Sequence, residues 1–251
     1  MSRMISIIVL IIMSTHVTFS RNFDNVRIGD YIYNDGSHYR RKLEDSKNSK
    51  CIGVVISVTP NAEQLEMGYT HGIIVLLEDI PGLYQWWPQN ESVPGVPDAS
   101  SVPEENAYAY THKYLAPLSE AAKACVNYPK VGSLFSKCFI PTESMWNLML
   151  ENIGLLTAKL MDVNTDIGID ARKTCAARLQ YLIGGFKEDR YDYWLAQQFG
   201  SYSAYFGHLK GTNNGGYYDS YDCRGRYTLD GNPGYLGNRT HRRRLRAMCY
   251  F

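Results

Sequence analysis

Lysine, glutamate, glutamine, methionine and tryptophan are all missing between Gly211 and Arg243, a run of 33 residues. These five types supply 40 of the 251 residues, a rate that would place about five of them in such a run. They share one property: no codon ending in a pyrimidine encodes any of them. What remains is dominated by Tyr, Arg, Gly, Asn and Asp. Tyr and Arg are large amphipathic anchors, and Ser, Gly and Asn are adaptable polar fillers, so the composition is that of a contact surface. It points to recognition rather than catalysis.

Other absences narrow the reading further. The net charge is only +1, which gives no global electrostatic case for a nucleic-acid partner. No segment after residue 20 approaches the roughly 18 continuous apolar residues of a membrane span, so no stable membrane insertion of the mature chain is expected. The sequence has no GxSxG, HExxH or Walker loop, and His38, His71, His112, His208 and His241 are scattered. No enzyme activity, catalytic residue or cofactor is therefore expected, although a Cys–His or carboxylate pair assembled by the fold is left open. None of Cys51, Cys125, Cys138, Cys175, Cys223 and Cys249 is in CxxC spacing, which argues against a zinc cluster or redox motif. Six cysteines in an exported chain permit disulfides, with fifteen possible connectivities, and several buried free thiols are the alternative. Asp219, Asp222, Asp230 and Asn232 do not have EF-hand spacing and read as turn residues, so no metal is expected.

Export itself is read from the first twenty residues. Arg3 supplies a positive start, Ile5 to Met13 is a short apolar core, and Thr18-Phe19-Ser20 is an acceptable cleavage site. Residues 1–20 are thus expected to be a signal peptide, and the mature protein to be periplasmic, on the outer surface or extracellular.

The rest of the chain begins strand-rich. Val26 to Tyr33 alternates apolar and polar residues and predicts a half-buried strand, followed by an Asn34-Asp35-Gly36-Ser37 turn and an exposed charged stretch from Arg40 to Lys50. Cys51–Val58 and His71–Leu77 are apolar, β-branched runs that predict buried strands. Pro88, Pro94, Pro97 and Pro103 make Gln85 to Pro103 an irregular excursion. Helix is expected in part of Glu104 to Tyr128, above all Leu118 to Val126, and again over Met145 to Leu160 and Ile169 to Ile183. Thr142 or Ser144 is the expected N-cap of the Met145 helix. Beyond Gly184-Gly185 turns dominate, and Tyr193-Trp194, Tyr205-Phe206 and Leu245 to Phe251 are short candidate strands. In the last of these, Leu245, Ala247, Cys249 and Phe251 are expected to face inward, with Arg244, Arg246, Met248 and Tyr250 outward. The order of strands, helices and loop-rich strands predicts an α+β domain whose C-terminal segment returns to the sheet.

The candidate ligand-binding residues come from the tyrosine- and arginine-rich region: Tyr205, His208, Tyr217, Tyr218, Tyr221, Arg224, Arg226, Tyr227, Tyr235, Arg239 and His241. Tyrosines supply contact area at low entropic cost, and arginines supply forked donors and cation–π contacts. The alternative is that half of these tyrosines fill a loop-covered core. The basic run His241 to Arg246 could contact an acidic partner, or form a solvated strand edge.

Several local patterns, taken in order, carry a resemblance. They are Ile28-Gly29-Asp30-Tyr31-Ile32-Tyr33 with Asp35-Gly36, Cys51-Ile52-Gly53-Val54-Val55, His71-Gly72-Ile73-Ile74-Val75-Leu76, Ala121-Ala122-Lys123-Ala124-Cys125, Ile140-Pro141-Thr142 with Trp146-Asn147-Leu148, Tyr193-Trp194, and Arg244 to Phe251. Together they resemble exported bacterial proteins with a C-type-lectin-like domain, a branch related in fold to the formylglycine-generating enzyme and similar to Fibrobacter-type major paralogous domain proteins. The resemblance implies one such α+β domain over 21–251, with two main helices, a small antiparallel sheet and a long loop-rich C-terminal region. Within it the scaffold would span 26–206, a ligand-binding loop layer 207–243 and a closing strand 244–251. It implies a secreted or surface-displayed adhesion protein with a protein or glycan ligand. An exported enzyme of the same fold and a structural fimbrial or envelope component, with Asn22 to Tyr33 as a donor strand, are the alternatives. Leu195-Ala196-Gln197 departs from the Ser-Ser-Thr that usually follows Tyr-Trp, the sugar-coordinating triplets of calcium-dependent lectins are absent, and the enzyme's cysteine pair has no counterpart. Neither calcium-mediated sugar binding nor oxidase activity is therefore implied. Some members of this wider group are targets of diversity-generating retroelements, whose adenine-directed mutagenesis yields pyrimidine-ending codons. The residue types missing from Gly211 to Arg243 match that limit.

Overall fold

The computed structural model describes residues 23–87, 93, 106–154, 178–179, 182, 191–199, 203–209 and 242–251. The expected signal peptide, most of the proline-rich excursion, nearly all of the expected helix at 169–183 and residues 210–241 lie outside them. The fold is α+β.

The first sheet takes its strands from both ends of the sequence. Its order is β2 (His38–Tyr39), β1 (Tyr31–Tyr33), β3 (Cys51–Ser57), β4 (Ile73–Leu76) and β9 (Met248–Tyr250), and every neighbouring pair is antiparallel. The unbroken apolar runs of β3 and β4 are explained by burial on both faces. Val54, Ile56, Ile73 and Val75 face Trp146, Met149 and Leu150 of α4 (Glu143–Asn152), whereas Val55, Ile74 and Leu76 share a second core with Ala121, Ala122 and Cys125 of α3 (Glu120–Asn127). Helices on both faces leave no solvated side, which is why the two expected strands carry almost no polar residues.

The strand expected over Val26 to Tyr33 is shorter than its alternation suggests, and it is buried rather than half-buried. The regular strand is only Tyr31–Tyr33: before it, left-handed Gly29 (φ 86°) and Asp30 bulge against Val55 of β3, and Asn25 (φ 65°) with the Asp30 side chain accepting from Arg27 N at 2.8 Å folds the preceding residues into turns. β1 already has β2 on one side and β3 on the other. The turn expected at Asn34 to Ser37 is present, with Gly36 at φ 91° and its amide donating to Tyr33 O.

Local hydrogen bonds set the helix starts. Asn61, Ser119 and Thr142 accept from the third residue on at the starts of α1 (Ala62–Glu66), α3 and α4. Thr142 is the N-cap of α4, and Ser144 instead lies beside it, hydroxyl to hydroxyl at 3.0 Å. Between α2 (Ala107–Ala109) and α3 the chain widens into a π-helical turn, Tyr110–Leu115. There the Thr111 hydroxyl donates to Ala107 O and accepts from Ile140 N, both at 2.9 Å, stitching the turn to the segment before α4.

The second sheet has the order β5 (Ile80–Gln85), β8 (Arg242–Leu245), β6 (Tyr191–Phe199) and β7 (Ser203–Leu209). The expected short strands at Tyr193 and Tyr205 are therefore long ones. β8 pairs antiparallel with β5 and parallel with β6. The chain crosses between the sheets twice, from β4 to β5 and from β8 to β9. This break corrects the expectation of one continuous strand from Leu245 to Phe251 with a basic, aromatic outer face. Arg246, Met248 and Tyr250 are all at most 1% exposed, because the segment passes between the two cores. No helix among the described residues is long and apolar enough to cross a membrane.

Candidate functional site

Register defines one end of the second sheet. Tyr191, the first residue of β6, pairs with Leu209, the last residue of β7. On the other side of β6, Tyr193 pairs with Arg244 in parallel register, so Arg242 lies level with the start of β6. Arg242 also pairs with Gln85, the last residue of β5. The described chain thus leaves the sheet at Leu209 and returns at Arg242 at the same end, with one strand between the two stems.

The stems are anchored by aromatic and charged contacts. Trp86 donates its indole N–H to Leu195 O, and Trp194 donates its own to Tyr84 O, each at 2.7 Å. These two buried indoles tie β5 to β6 across the intervening β8. The guanidinium of Arg243 lies 5.0 Å from the centre of the Trp194 ring, and burial lowers its pKa to about 10. Arg242 is half exposed. It donates to Leu83 O at 3.0 Å and pairs with Glu120 of α3 at 3.3 Å.

The remaining arginines of the basic run converge on one carboxylate. Asp79, in the β4–β5 crossover, receives Arg246 Nε at 2.7 Å and Arg244 Nη1 at 3.5 Å. The Tyr193 hydroxyl donates to the same carboxylate at 3.3 Å. Burial, and secondarily the negative charge of Asp79, pushes the Tyr193 pKa well up, so the phenol stays neutral and donating. Arg246 also donates to Leu76 O and Leu77 O. Arg242, Arg244 and Arg246 of the basic run thus each have an acidic partner within the protein, and His241 lies outside the described residues. β8 is an interior strand, and Glu120 and Asp79 lie against two of its arginines, Arg242 and Arg244.

Of the candidate ligand residues, Tyr205 and His208 lie on β7, the strand that leads into the departing segment. His208 pairs with Asp192, and Tyr205 falls in the irregular stretch between the Trp194–Phe206 and Gln198–Ala204 pairs. Tyr217, Tyr218, Tyr221, Arg224, Arg226, Tyr227, Tyr235, Arg239 and His241 lie outside the described residues. The sequence reading passed over Asp79 and Glu63. Each has a signal in the sequence: Asp79 is an acid between the apolar runs of β4 and β5, and Glu63 stands in the first turn of a short helix. Glu63 accepts from the amides of Tyr108 and Ala109 and from the Tyr250 hydroxyl. Among the described residues no group of three or more His, Cys, Asp or Glu is placed to hold a metal ion.

No protein-family model matches this chain, and no curated protein matches it. Among solved structures it is similar to a fimbrial protein from Bacteroides ovatus, with 15% sequence identity and a TM-score of 0.47 over 90% of this chain and 49% of that one. The chain thus spans about half the length of that structure.

Proposed function

We propose that this protein is an exported or surface-displayed binding protein, in which residues 210–241 engage a protein or glycan ligand. One observation carries the reading: Leu209 and Arg242 leave and rejoin the second sheet at the same end, on either side of the first turn of β6. A segment of Tyr, Arg, Gly and Asn is thus hung from two stems of a cross-braced sheet, the arrangement in which a binding loop is positioned by a rigid scaffold. Affinity would reside in a few tyrosines and arginines. The test is an array of glycans and proteins probed with the mature full-length chain, beside the triple variant Tyr217→Ala, Tyr218→Ala, Arg226→Ala. The expected result is loss of binding with an unchanged unfolding midpoint. A triple variant that keeps every hit overturns this surface.

The same segment would be written under a codon constraint. A near-duplicate of its coding sequence beside a reverse-transcriptase gene supports diversification, and a neighbourhood lacking both removes it.

The second reading is a structural component of a fimbria or envelope assembly. β7 favours it, since among the described residues this seven-residue strand has a partner, β6, on one side only, and an open edge can accept a strand from another chain. Of the candidate donor strand Asn22 to Tyr33, residues Tyr31–Tyr33 form β1, which is paired on both sides. Concentration-dependent oligomers in sedimentation, abolished by a proline within β7, would favour this reading over the first.

A further inference from the structure

Two of the cysteines lie beside an isolated antiparallel bridge between β9 and the segment before α4. Phe139 and Met248 exchange both backbone hydrogen bonds, at 3.0 and 3.1 Å, which makes them a hydrogen-bonded antiparallel pair. One step from this isolated bridge Cys138 lies beside Cys249, next to a hydrogen-bonded pair. In the non-hydrogen-bonded position of a regular antiparallel pair the Cα atoms come about 4.5 Å apart, within the range that a cystine spans. The two Sγ atoms are 3.4 Å apart, and neither residue is exposed. The frame around them is held on both sides: Ser136 N donates to Tyr250 O, Tyr250 N donates to Ser136 Oγ, and a ring nitrogen of His112 lies 2.9 Å from Cys138 O. Closing the sulfurs to a bond requires a movement of about 1.4 Å, which side-chain rotation can largely supply.

We propose that Cys138 and Cys249 are a disulfide site, joined in the oxidised protein. The bond clamps β9 to the segment that leads into α4, and so closes a loop of more than a hundred residues that contains α4, β6, β7, β8 and residues 210–241. In the forming step, the thiolate of one cysteine attacks the disulfide of an oxidant, either a small-molecule or a protein disulfide, and expels one of its thiolates. The second cysteine loses its proton to solvent and attacks the first cysteine's sulfur in the mixed disulfide, expelling the oxidant's other thiolate. Two protein thiols are oxidised and one oxidant disulfide is reduced to two thiols. Because both sulfurs are sealed from solvent in the folded state, the reaction occurs before β9 closes. In the reduced folded protein, burial raises the Cys249 thiol well above its usual range and slows exchange. Cys125 belongs to the same buried core but to α3, and the opposed strands select Cys138 and Cys249 from the three.

The inference does not depend on the ligand-binding reading, and its test uses no ligand. The full chain is refolded from denaturant in a glutathione redox buffer, alkylated, and digested with trypsin without reduction. The expected product joins residues 138–159 to 247–251, while 124–130 is recovered alkylated. Reduction should lower the melting temperature by roughly 10 °C, the scale set by a loop of this length in a domain of this size. Cys249→Ala should melt at that lower temperature and not respond to reductant, whereas Cys125→Ala should keep both the cross-link and the response. Recovery of 138–159 and 247–251 as separate alkylated peptides, or of 138–159 joined to any other cysteine peptide, overturns the proposal whether or not the variants fold.

Discussion

Arg246 donates from Nε to Asp79 Oδ1 at 2.7 Å, and the two residues occupy the two places where the chain passes from one sheet to the other. Asp79 lies between β4 and β5, and Arg246 between β8 and β9. Each sheet contributes one strand on either side of the pair, since β4 pairs with β9 and β5 with β8. The ion pair therefore bolts the crossovers together at the seam of the fold.

Removing one half of this pair leaves the other half buried and uncompensated. Asp79→Ala should lose about 3–5 kcal/mol of stability in urea unfolding, because the Arg246 guanidinium has no exposed surface. Asp79→Leu combined with Arg246→Met should recover most of that loss. A double variant as unstable as the single one would show that packing, not charge, dominates the seam.

Gly72 cannot be replaced without moving β3. It sits at φ 145°, and a Cβ built there would lie 2.0 Å from Ser57 O. Its carbonyl also accepts from Phe251 N and from the Gln64 amide. Gly72→Ala should cost at least about 3 kcal/mol, visible as a fall in urea midpoint with an unchanged slope.

Glu63 serves as a cap supplied from another helix. Its oxygens accept from Tyr108 N at 3.1 Å, Ala109 N at 2.7 Å and the Tyr250 hydroxyl at 2.6 Å. Glu63→Ala leaves these donors without their acceptor and should cost roughly 2–4 kcal/mol, with Glu63→Gln intermediate. Amide hydrogen exchange should quicken at Tyr108 and Ala109 in both variants. Unchanged exchange there would sink the capping role.

The acid side of the stability profile should carry the signature of His112. Burial lowers its pKa below the ordinary value, against a smaller opposing effect of its hydrogen bond to Cys138 O. The unfolded state therefore takes up a proton first. The His112 contribution is complete above about pH 6.5 and is lost as the pH falls below it. Between pH 7.5 and 5.5 the wild type should lose more stability than His112→Gln. Parallel profiles for the two proteins would exclude His112 as the cause.

The strands that proved easiest to read were those whose environment is uniform. β3 and β4 are buried on both faces, so hydrophobicity alone marks Cys51–Ser57 and Ile73–Leu76. The start of α4 was legible because Thr142 caps through its own side chain. The segment from Leu245 to Phe251 was misread for a physical reason: alternation assigns faces only while a strand stays in one sheet. Here the strand changes sheets at Arg246, whose charge is neutralised by Asp79, 167 residues earlier in the sequence. Local pattern cannot report a partner at that distance. The strand expected from Val26 is cut short differently, since left-handed Gly29 forms a bulge against Val55 and Asn25 turns the chain before it. Of the candidate site, the aromatic anchor Trp194 lay in a motif that the sequence displayed, while the convergence of Arg244, Arg246 and Tyr193 on Asp79 exists only in the fold.

The two stems beside Tyr191 also govern how much the chain between them can vary. Leu209 and Arg242 lie on strands separated by one other, so the ends to be bridged are about 10 Å apart however long the bridge is. For a flexible closure, doubling the number of residues adds only about 0.6 kcal/mol of entropy cost. A closure that behaves as a flexible chain would therefore make insertions and deletions between the stems nearly neutral for the two sheets.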